Sequence, residues 1–203
     1  DDLIVINKID GYSVQRGSKV FISLKDIYEN VIEHKLYIVH RLDKDTSGLL
    51  IIAKNRSSAK GFGNLFKLRL INKTYIAVCE GIPRLKESNL NLDIKNKFNK
   101  IEKTNTFYRV LHNLNGISLI LFKPMTGKTH QLRIVSKNLT CPIIGDNKYN
   151  NQSKYNTEIL KLNAHILNFS FNNEDYEFFS ELPDDFKNFI KKNKLKYLKR
   201  NNN

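Results

Sequence analysis

The sequence predicts an α+β fold with a mainly antiparallel sheet and flanking helices. Strand-like apolar runs outnumber helical segments and follow one another directly along the chain. Two pairs of these runs are separated by turn sequences typical of hairpins, at Asn115-Gly116 and at Asn172-Asn173. Hydrophobic residues make up 40% of the 203 residues, which is ordinary for a globular protein. The sequence therefore indicates a folded core and argues against general disorder.

The first half of the chain contains three predicted strands and two predicted helices. Runs rich in β-branched residues predict strands at 3–7, 36–39 and 49–53. Apolar residues at helical spacing predict helices over 25–34 and 57–70.

The second half adds further strands, one helix and a long polar segment. The predicted strands are 74–79, 107–112, 117–123, 164–171 and 176–179, and the predicted helix is 129–139. Residues 84–105, rich in Asn, Lys and Glu, are expected to form an exposed segment with at most one strand. From Asp184 the chain is basic and amphipathic. We expect a main domain over 1–186 and a basic C-terminal helix and tail over 187–203, frayed at 201–203.

The charge balance favours an anionic partner. The chain has 34 Lys and Arg against 20 Asp and Glu, a net charge of +14. Nucleic acid is the first candidate and a membrane surface the second, although a genome rich in A and T also produces many Lys and Asn codons. No apolar run is long enough to span a membrane, and no secretory signal is visible. Cys79 and Cys141 do not suffice for a disulfide framework or a zinc site, so a reducing, cytoplasmic location is expected.

Polar residues concentrate in the segment 40–48, between two predicted strands. It contains His40, Arg41, the carboxylates Asp43 and Asp45, and two hydroxyl residues. Such residues form capped turns. A titratable ring and a guanidinium beside carboxylates are also typical of a functional loop. The residues alone leave both interpretations open.

Two further clusters occur near a predicted strand and a predicted helix. Lys73 and Tyr75 are two residues apart and share a strand face, where Tyr75 is either functional or a half-buried sheet residue. Gly-Lys-Thr at 127–129 precedes the predicted helix, where an anion could bind. The alternative is a capped helix with Lys128 and Arg133 in solvent. The spacing is not that of a P-loop, which argues against nucleotide hydrolysis.

Four segments together resemble the RluA-type pseudouridine synthase family. They are VHRLDKDTSGLLIIAKN (39–55), KTYIAVCEG (73–81), KPMTGKTHQLRI (123–134) and CPIIGDNKY (141–149). The first strand, DDLIVINKIDG, and the segment FFSELPDDF (178–186) are similar as well, so the resemblance covers almost the whole chain in order. The sequence departs from the family pattern at Ile9, Lys128, Ser136 and Asn163, where Pro, Arg, His and His are usual.

The resemblance implies the pseudouridine synthase fold and the isomerisation of uridine to pseudouridine in large-subunit ribosomal RNA. The enzyme would be an isomerase that needs no cofactor and no metal. Asp43 would be the catalytic carboxylate, as nucleophile or as base, with Arg133 as its cationic partner and Tyr75 stacked on the uracil. Arg41 would fill the gap left by the flipped nucleotide.

The resemblance also implies RNA contacts outside the reacting atoms. The expected RNA-binding residues are His40, Arg41, Lys73, Lys128 and Thr129, together with the C-terminal lysines. We expect a cytoplasmic monomer. The same chemistry on tRNA and a catalytically silent RNA-binding ribosome-assembly factor stay open as alternatives. Large-subunit enzymes of this type often carry a separate RNA-binding domain before the catalytic one, so this chain is either a trimmed part or an enzyme without that domain.

Overall fold

A computed structural model describes residues 2–17, 20–96 and 98–197. In chain order the elements are β1 (Leu3–Lys8), α1 (Leu24–Ile32), β2 (Tyr37–Ile38), β3 (Ser47–Ala53), α2 (Arg56–Leu68), β4 (Asn72–Glu80), β5 (Glu87–Lys95), β6 (Ile101–Leu114), β7 (Ile117–Pro124), α3 (Gln131–Asn138), β8 (Leu162–Phe171), β9 (Glu174–Phe179) and α4 (Asp184–Lys192). The residues expected to be frayed, 201–203, lie outside the described part of the chain. The chain divides into two compact units, Asp1–Thr74 with Asn163–Glu181, and Tyr75–Leu162 with Leu182–Asn203.

The first unit is organised around β3, whose seven residues are all buried. β1 and β2 pair with β3 antiparallel, and β8 pairs with it parallel, with Ser47 opposite Asn163. β9 returns antiparallel to β8. The turn between them has φ values of 53° at Asn172 and 63° at Asn173, the left-handed conformation that tight hairpins require. The predicted hairpin is thus confirmed.

Helix α2 covers the core of the first unit. The Asn55 side chain accepts a hydrogen bond from the Ser58 backbone N–H at 2.8 Å and caps the helix start. On the inner face, Phe62 is fully buried and stacks on Phe171 with ring centroids 4.4 Å apart. A Cβ atom at Gly61 would lie 2.7 Å from that same ring, so the glycine allows the close approach. The helix predicted over 57–70 is confirmed.

The strands of the second unit are all antiparallel, in the order β4, β7, β6, β5. Two apolar clusters fill this unit. One contains Val135 of α3 with both cysteines, which are fully buried. The other contains Phe186 of α4, in agreement with the predicted amphipathic face.

The prediction of at most one strand in residues 84–105 was wrong, although most of the segment is exposed as expected. This segment contains the whole of β5 and the first part of β6, which pair in register from Glu87↔Arg109 to Lys95↔Ile101. β5 alternates polar and apolar residues, and Leu90 and Leu92 pack against the core while Asn89, Asn91 and Asp93 face outward. The polar composition reflects one exposed face of a strand.

The predicted α+β class is confirmed. The strand pairings within each unit are antiparallel except for β3 with β8, and four helices accompany nine strands in the described residues. Among those residues, no helix is both long and apolar enough to cross a membrane.

Candidate active site

The segment between β2 and β3 forms a loop that holds Asp43 half-buried in the first unit. The backbone N–H of Thr46 donates to the Asp43 carbonyl at 3.1 Å and closes a turn. Leu42 is buried and anchors the loop to the core, whereas Arg41 is exposed. The loop thus orients the side chains of residues 41 and 43 differently.

His40 fixes the beginning of this loop. Its Nε2 accepts a hydrogen bond from the Ile51 backbone N–H at 2.8 Å, and its ring lies 4.5 Å from the ring of Phe66 in α2. Burial, and secondarily the charge of Lys73, lower the pKa of His40 to about 3. The imidazole is therefore neutral at physiological pH and carries its proton on Nδ1. It supports the loop by packing and contributes no positive charge.

Lys8, which the sequence analysis did not single out, fixes the other side of the loop. The residue is only 2% exposed, and its Nζ donates to the carbonyl oxygens of Ile9 at 2.9 Å and Lys44 at 2.8 Å. Burial lowers the pKa of Lys8 to about 8, although nearby carboxylates including Asp43 raise it. Lys8 therefore connects the end of β1 to the turn after Asp43. A lysine directly after the apolar run of β1 was the available signal.

Gly48 brings the start of β3 next to β8 in the first unit. It has φ +108°, and a Cβ there would lie 2.3 Å from the Ala164 carbonyl oxygen. The neighbouring Asn163 donates from Nδ2 to the Ser47 hydroxyl at 2.9 Å. The end of the segment 40–48 is thereby held by contacts that no other residue type at position 48 would permit.

Lys73 and Tyr75 lie on β4, and the boundary between the two units falls after Thr74. Burial and the charge of Arg69 lower the pKa of Lys73. Tyr75 is partly buried in the second unit, opposite Phe122 of β7, and packs against an apolar cluster. Its half-buried ring is compatible with both roles that the sequence left open.

Arg133 is held rigidly in the second unit. From α3, its Nε donates to Asp146 Oδ2 at 2.8 Å and its Nη2 donates to Asp146 Oδ1 at 2.7 Å. The guanidinium carbon lies 5.3 Å from the centre of the Tyr149 ring. The Tyr149 hydroxyl is 3.0 Å from His130 Nδ1. A planar fork paired in this way has a defined orientation.

Asp146 is the centre of this arrangement, and the sequence analysis assigned it no role. Its side chain is fully buried, and Oδ1 also accepts the backbone N–H groups of Lys148 and Tyr149 at 3.0 Å. The preceding Gly145 has φ +78°, and a Cβ there would lie 2.4 Å from the Ile159 carbonyl oxygen. Asp146 lies in the segment CPIIGDNKY, which the sequence had singled out. Its partner Arg133 lies in α3, so the segment alone did not indicate the ion pair.

The loop before α3 differs from expectation. The helix begins at Gln131 and not at residue 129, because His130 has a left-handed φ of 54°. The Gln131 side chain accepts the Lys128 backbone N–H at 3.0 Å and donates to the Thr106 hydroxyl at 2.9 Å. That N–H is therefore used within the protein. Lys128 Nζ lies 3.1 Å from Glu102 Oε1, and Thr129 is exposed.

The predicted site residues thus divide between the two units. The first unit contains His40, Arg41, Asp43 and Lys73, and the second contains Tyr75, Lys128, Thr129 and Arg133. The pairing of Asp43 with Arg133 stays a prediction. Among residues 2–17, 20–96 and 98–197, no group of three or more His, Cys, Asp or Glu side chains is arranged to hold a metal ion.

Comparison with known proteins identifies the family. A sequence profile described as RNA pseudouridylate synthase matches residues 2–138. "Ribosomal large subunit pseudouridine synthase C" of Rickettsia bellii (strain RML369-C) is 41% identical over 74% of this chain and 55% of its own length. "Ribosomal large subunit pseudouridine synthase D" of Borreliella burgdorferi (strain ATCC 35210 / DSM 4680 / CIP 102532 / B31) is 34% identical over 96% of this chain and 68% of its own length.

Solved structures agree with the sequence matches. Human RNA Pseudouridylate Synthase Domain Containing 4 superposes with a TM-score of 0.84 at 26% identity, over 97% of this chain and 91% of that one. The chain spans about half the length of the first curated relatives that it matches. The resemblance and the predicted fold are confirmed, and the chain belongs to the RNA pseudouridylate synthase family.

Proposed function

We propose that this chain isomerises uridines to pseudouridine in large-subunit ribosomal RNA, with Asp43 as the catalytic residue. The observation that carries the proposal is the family match over residues 2–138, which includes Asp43, Tyr75 and Arg133 in their expected motifs. The curated relatives named for the large ribosomal subunit support ribosomal RNA as the substrate.

The reaction is balanced without any external reagent. The bond between uracil N1 and ribose C1′ breaks, the base turns, and a bond forms between C5 and C1′. The proton on C5 leaves and N1 gains one, so the nucleotide keeps its composition. No oxidant, metal or cofactor is needed for that balance, and we propose that the enzyme uses none. What the chemistry requires is a group that acts on the ribose while the base departs as an anion.

A carboxylate meets this requirement. Asp43 either attacks the ribose as a nucleophile or removes a ribose proton, and both routes need it ionised and positioned. Its loop is held from two sides, by Lys8 Nζ on the Lys44 carbonyl and by the His40 ring on α2. These contacts support the proposal because the loop is already ordered. Reaching the transition state then carries no additional entropic cost for fixing the carboxylate in place.

Arg133 and Tyr75 are proposed to complete the chemistry. The guanidinium is oriented by Asp146 and by the Tyr149 ring. A fixed orientation is what a cation needs if it is to pair with a second carboxylate in a defined geometry. We propose that Arg133 keeps Asp43 ionised. Tyr75 is proposed to stack on the extruded uracil, since an aromatic ring binds any base by its face.

RNA must be opened for the target uridine to reach Asp43. Arg41, two residues before Asp43 and exposed, is proposed to fill the gap in the stack. Lys73, Lys128 and Thr129 are proposed to contact phosphates, which give affinity without base specificity. His40 is proposed to act on RNA indirectly, by positioning Arg41. The enzyme is proposed to work as a monomer in the cytoplasm.

Pseudouridine mapping of total RNA tests the proposal. Cells lacking the gene should lose specific sites in large-subunit ribosomal RNA, and the wild-type gene should restore them. Sites lost from tRNA instead would establish the same chemistry on the alternative substrate. An unchanged map, combined with RNA binding by the purified chain, would indicate the silent assembly factor and contradict the proposed activity.

A further inference from the structure

The outer face of α2 carries a line of cations. At 100° per residue, Arg56, Lys60, Gly63 and Lys67 lie within an arc of about 60°, opposite the buried Phe62. All four are exposed. We call these four residues the α2 stripe. It extends about 16 Å along the helix axis, from the first turn to the last.

Within the described residues, the cations of the stripe have no acidic partners. No Asp or Glu occurs between Asp45 and Glu80 in the sequence. Among the described residues, Arg56, Lys60 and Lys67 make no ion pair. Some cations elsewhere in the described chain do pair, as in Arg109–Glu87, Lys128–Glu102 and Lys187–Asp184, whereas others, such as Lys86 and Lys103, do not.

The N-terminal part of this arrangement is unfavourable for the isolated helix, whereas Lys67 in the last turn is favourable to the macrodipole. Arg56 occupies the first helical position, where the macrodipole disfavours positive charge, and the first turn contains no acid. Arg56 and Lys60 are like charges four residues apart, which repel on the same face. An anionic partner would offset both effects. A helix that had no such partner would be more stable with acids at these positions.

Gly63 adds a second, independent observation. Glycine is among the least favourable residues inside a helix. Gly61 is explained by its contact with Phe171, but a Cβ at Gly63 would meet nothing within 4 Å. Packing within the protein therefore does not require a glycine at position 63. It lies between the cations of the stripe and leaves the helix backbone open to close approach.

The stripe belongs to the same unit as the Asp43 loop. Phe66, on the inner face of α2, contacts the His40 ring at 4.5 Å. Beyond the helix end, the charge of Arg69 acts on Lys73 and that of Lys73 acts on His40. Positive charge thus continues from α2 toward the residues that precede Asp43.

We propose that the α2 stripe binds the phosphate backbone of the RNA substrate, with the backbone passing closest at Gly63. This inference rests on the proposed RNA substrate and adds a contact surface to it. The recognition is by charge and close approach, so it contributes affinity and orientation without reading bases.

The test uses the whole chain and an in vitro transcript of bacterial large-subunit ribosomal RNA. The triple variant Arg56→Gln, Lys60→Gln, Lys67→Gln removes three charges. The matched control Lys86→Gln, Lys103→Gln, Lys137→Gln removes three exposed charges from the second unit. Dissociation constants are measured over a range of salt concentrations. For the stripe variant we expect the slope of log K against log salt to fall by about 2–3, with affinity about 10–100-fold lower near 0.15 M salt.

The control triple variant should keep the wild-type slope, because the proposal places the phosphate contacts on α2 and not on these cations. Thermal melting provides a second readout, since the stripe variant should melt at or above the wild-type temperature. Gly63→Leu should raise the melting temperature by a few degrees and weaken RNA binding several-fold. Wild-type binding by Gly63→Leu would overturn the close approach at that position.

Equal slopes for the two triple variants would overturn the proposal and would indicate that the stripe is ordinary solvated surface. That result would leave the isomerase activity untouched. Conversely, a wild-type chain that binds RNA through the stripe but forms no pseudouridine would contradict the proposed function alone.

Discussion

Arg133 and Asp146 form a bidentate ion pair inside the second unit. Nε and Nη2 of the arginine donate to the two carboxylate oxygens at 2.8 and 2.7 Å, and the side chains are 8% and 0% exposed. The pair joins α3 to the turn after Gly145, so the orientation of the proposed catalytic cation depends on a residue thirteen positions later in the chain.

Asp146→Asn should therefore be costly. Removing one charge of a buried pair leaves the other uncompensated, and we expect the free energy of unfolding to fall by about 3–5 kcal/mol. Pseudouridine formation should fall as well, because Arg133 loses its orientation. Denaturant unfolding of the purified chain measures the first effect.

The exposed pair between Glu87 and Arg109 supplies the control. Its side chains are 52% and 57% exposed, so Glu87→Gln should cost less than about 1 kcal/mol. If Asp146→Asn destabilises the chain no more than Glu87→Gln does, the buried pair does not have the structural role assigned to it.

His40 should make stability depend on pH in the acidic range. Burial lowers the pKa of its ring to about 3 in the folded chain, whereas the unfolded value is about 6.5. The unfolded chain therefore binds the proton first as the pH falls. The folded chain keeps its full stability with respect to His40 above pH 6.5. The free energy of unfolding then falls progressively toward pH 3, by about 2 kcal/mol at pH 5.

His40→Gln cannot titrate and isolates this contribution. Unfolding free energies of wild type and variant are compared at pH 7 and pH 5. We expect the wild type to lose more stability than the variant between these values. Equal losses would mean that the ring is not held neutral by burial.

Lys8 should produce a dependence of the same sign, with stability rising as the pH rises, in the alkaline range. Its pKa is lowered to about 8 by burial, below the unfolded value of about 10.4. Between these values the unfolded chain holds the proton and the folded chain does not. The cost of burying the charge is thus present below pH 8 and is relieved as the pH rises, by about 2 kcal/mol at pH 10.

Lys8→Met provides the reference, since it keeps an unbranched side chain without the titrating group. The wild type should gain stability relative to this variant between pH 7 and pH 10. If the free energies of unfolding of wild type and Lys8→Met change with pH in parallel, burial does not lower the pKa of Lys8. At pH 7, Lys8→Met should also slow pseudouridine formation, because the bond from Nζ to the Lys44 carbonyl is lost.

Local patterns predicted most of the fold. The helix α2 and the hairpin at Asn172-Asn173 follow from short-range periodicity and turn chemistry, and both were confirmed. The number of strands in residues 84–105 was underestimated because Asn and Asp on the exposed face of β5 concealed the alternation of Leu90 and Leu92. Composition is a weaker indicator than period when a strand has one face in solvent.

Residues of the candidate site could be proposed from the sequence only where they belong to a recognisable local motif. Asp43 was singled out by its motif and its catalytic role stays a prediction, whereas Lys8 and Asp146 act through contacts with distant segments. The left-handed backbone at His130 also had no local signal, since φ > 0 is uncommon for residues other than glycine. Such contacts are properties of tertiary structure, and sequence periodicity does not predict them.

The most direct test of the central claim is pseudouridine formation by Asp43→Asn. The variant and wild type are assayed on the same large-subunit ribosomal RNA transcript, with Asp45→Asn as the control from the same turn. We predict that Asp43→Asn loses activity by about 10³-fold or more while folding and binding RNA normally, and that Asp45→Asn stays within a few-fold of wild type. Activity of Asp43→Asn comparable with that of Asp45→Asn would contradict the account.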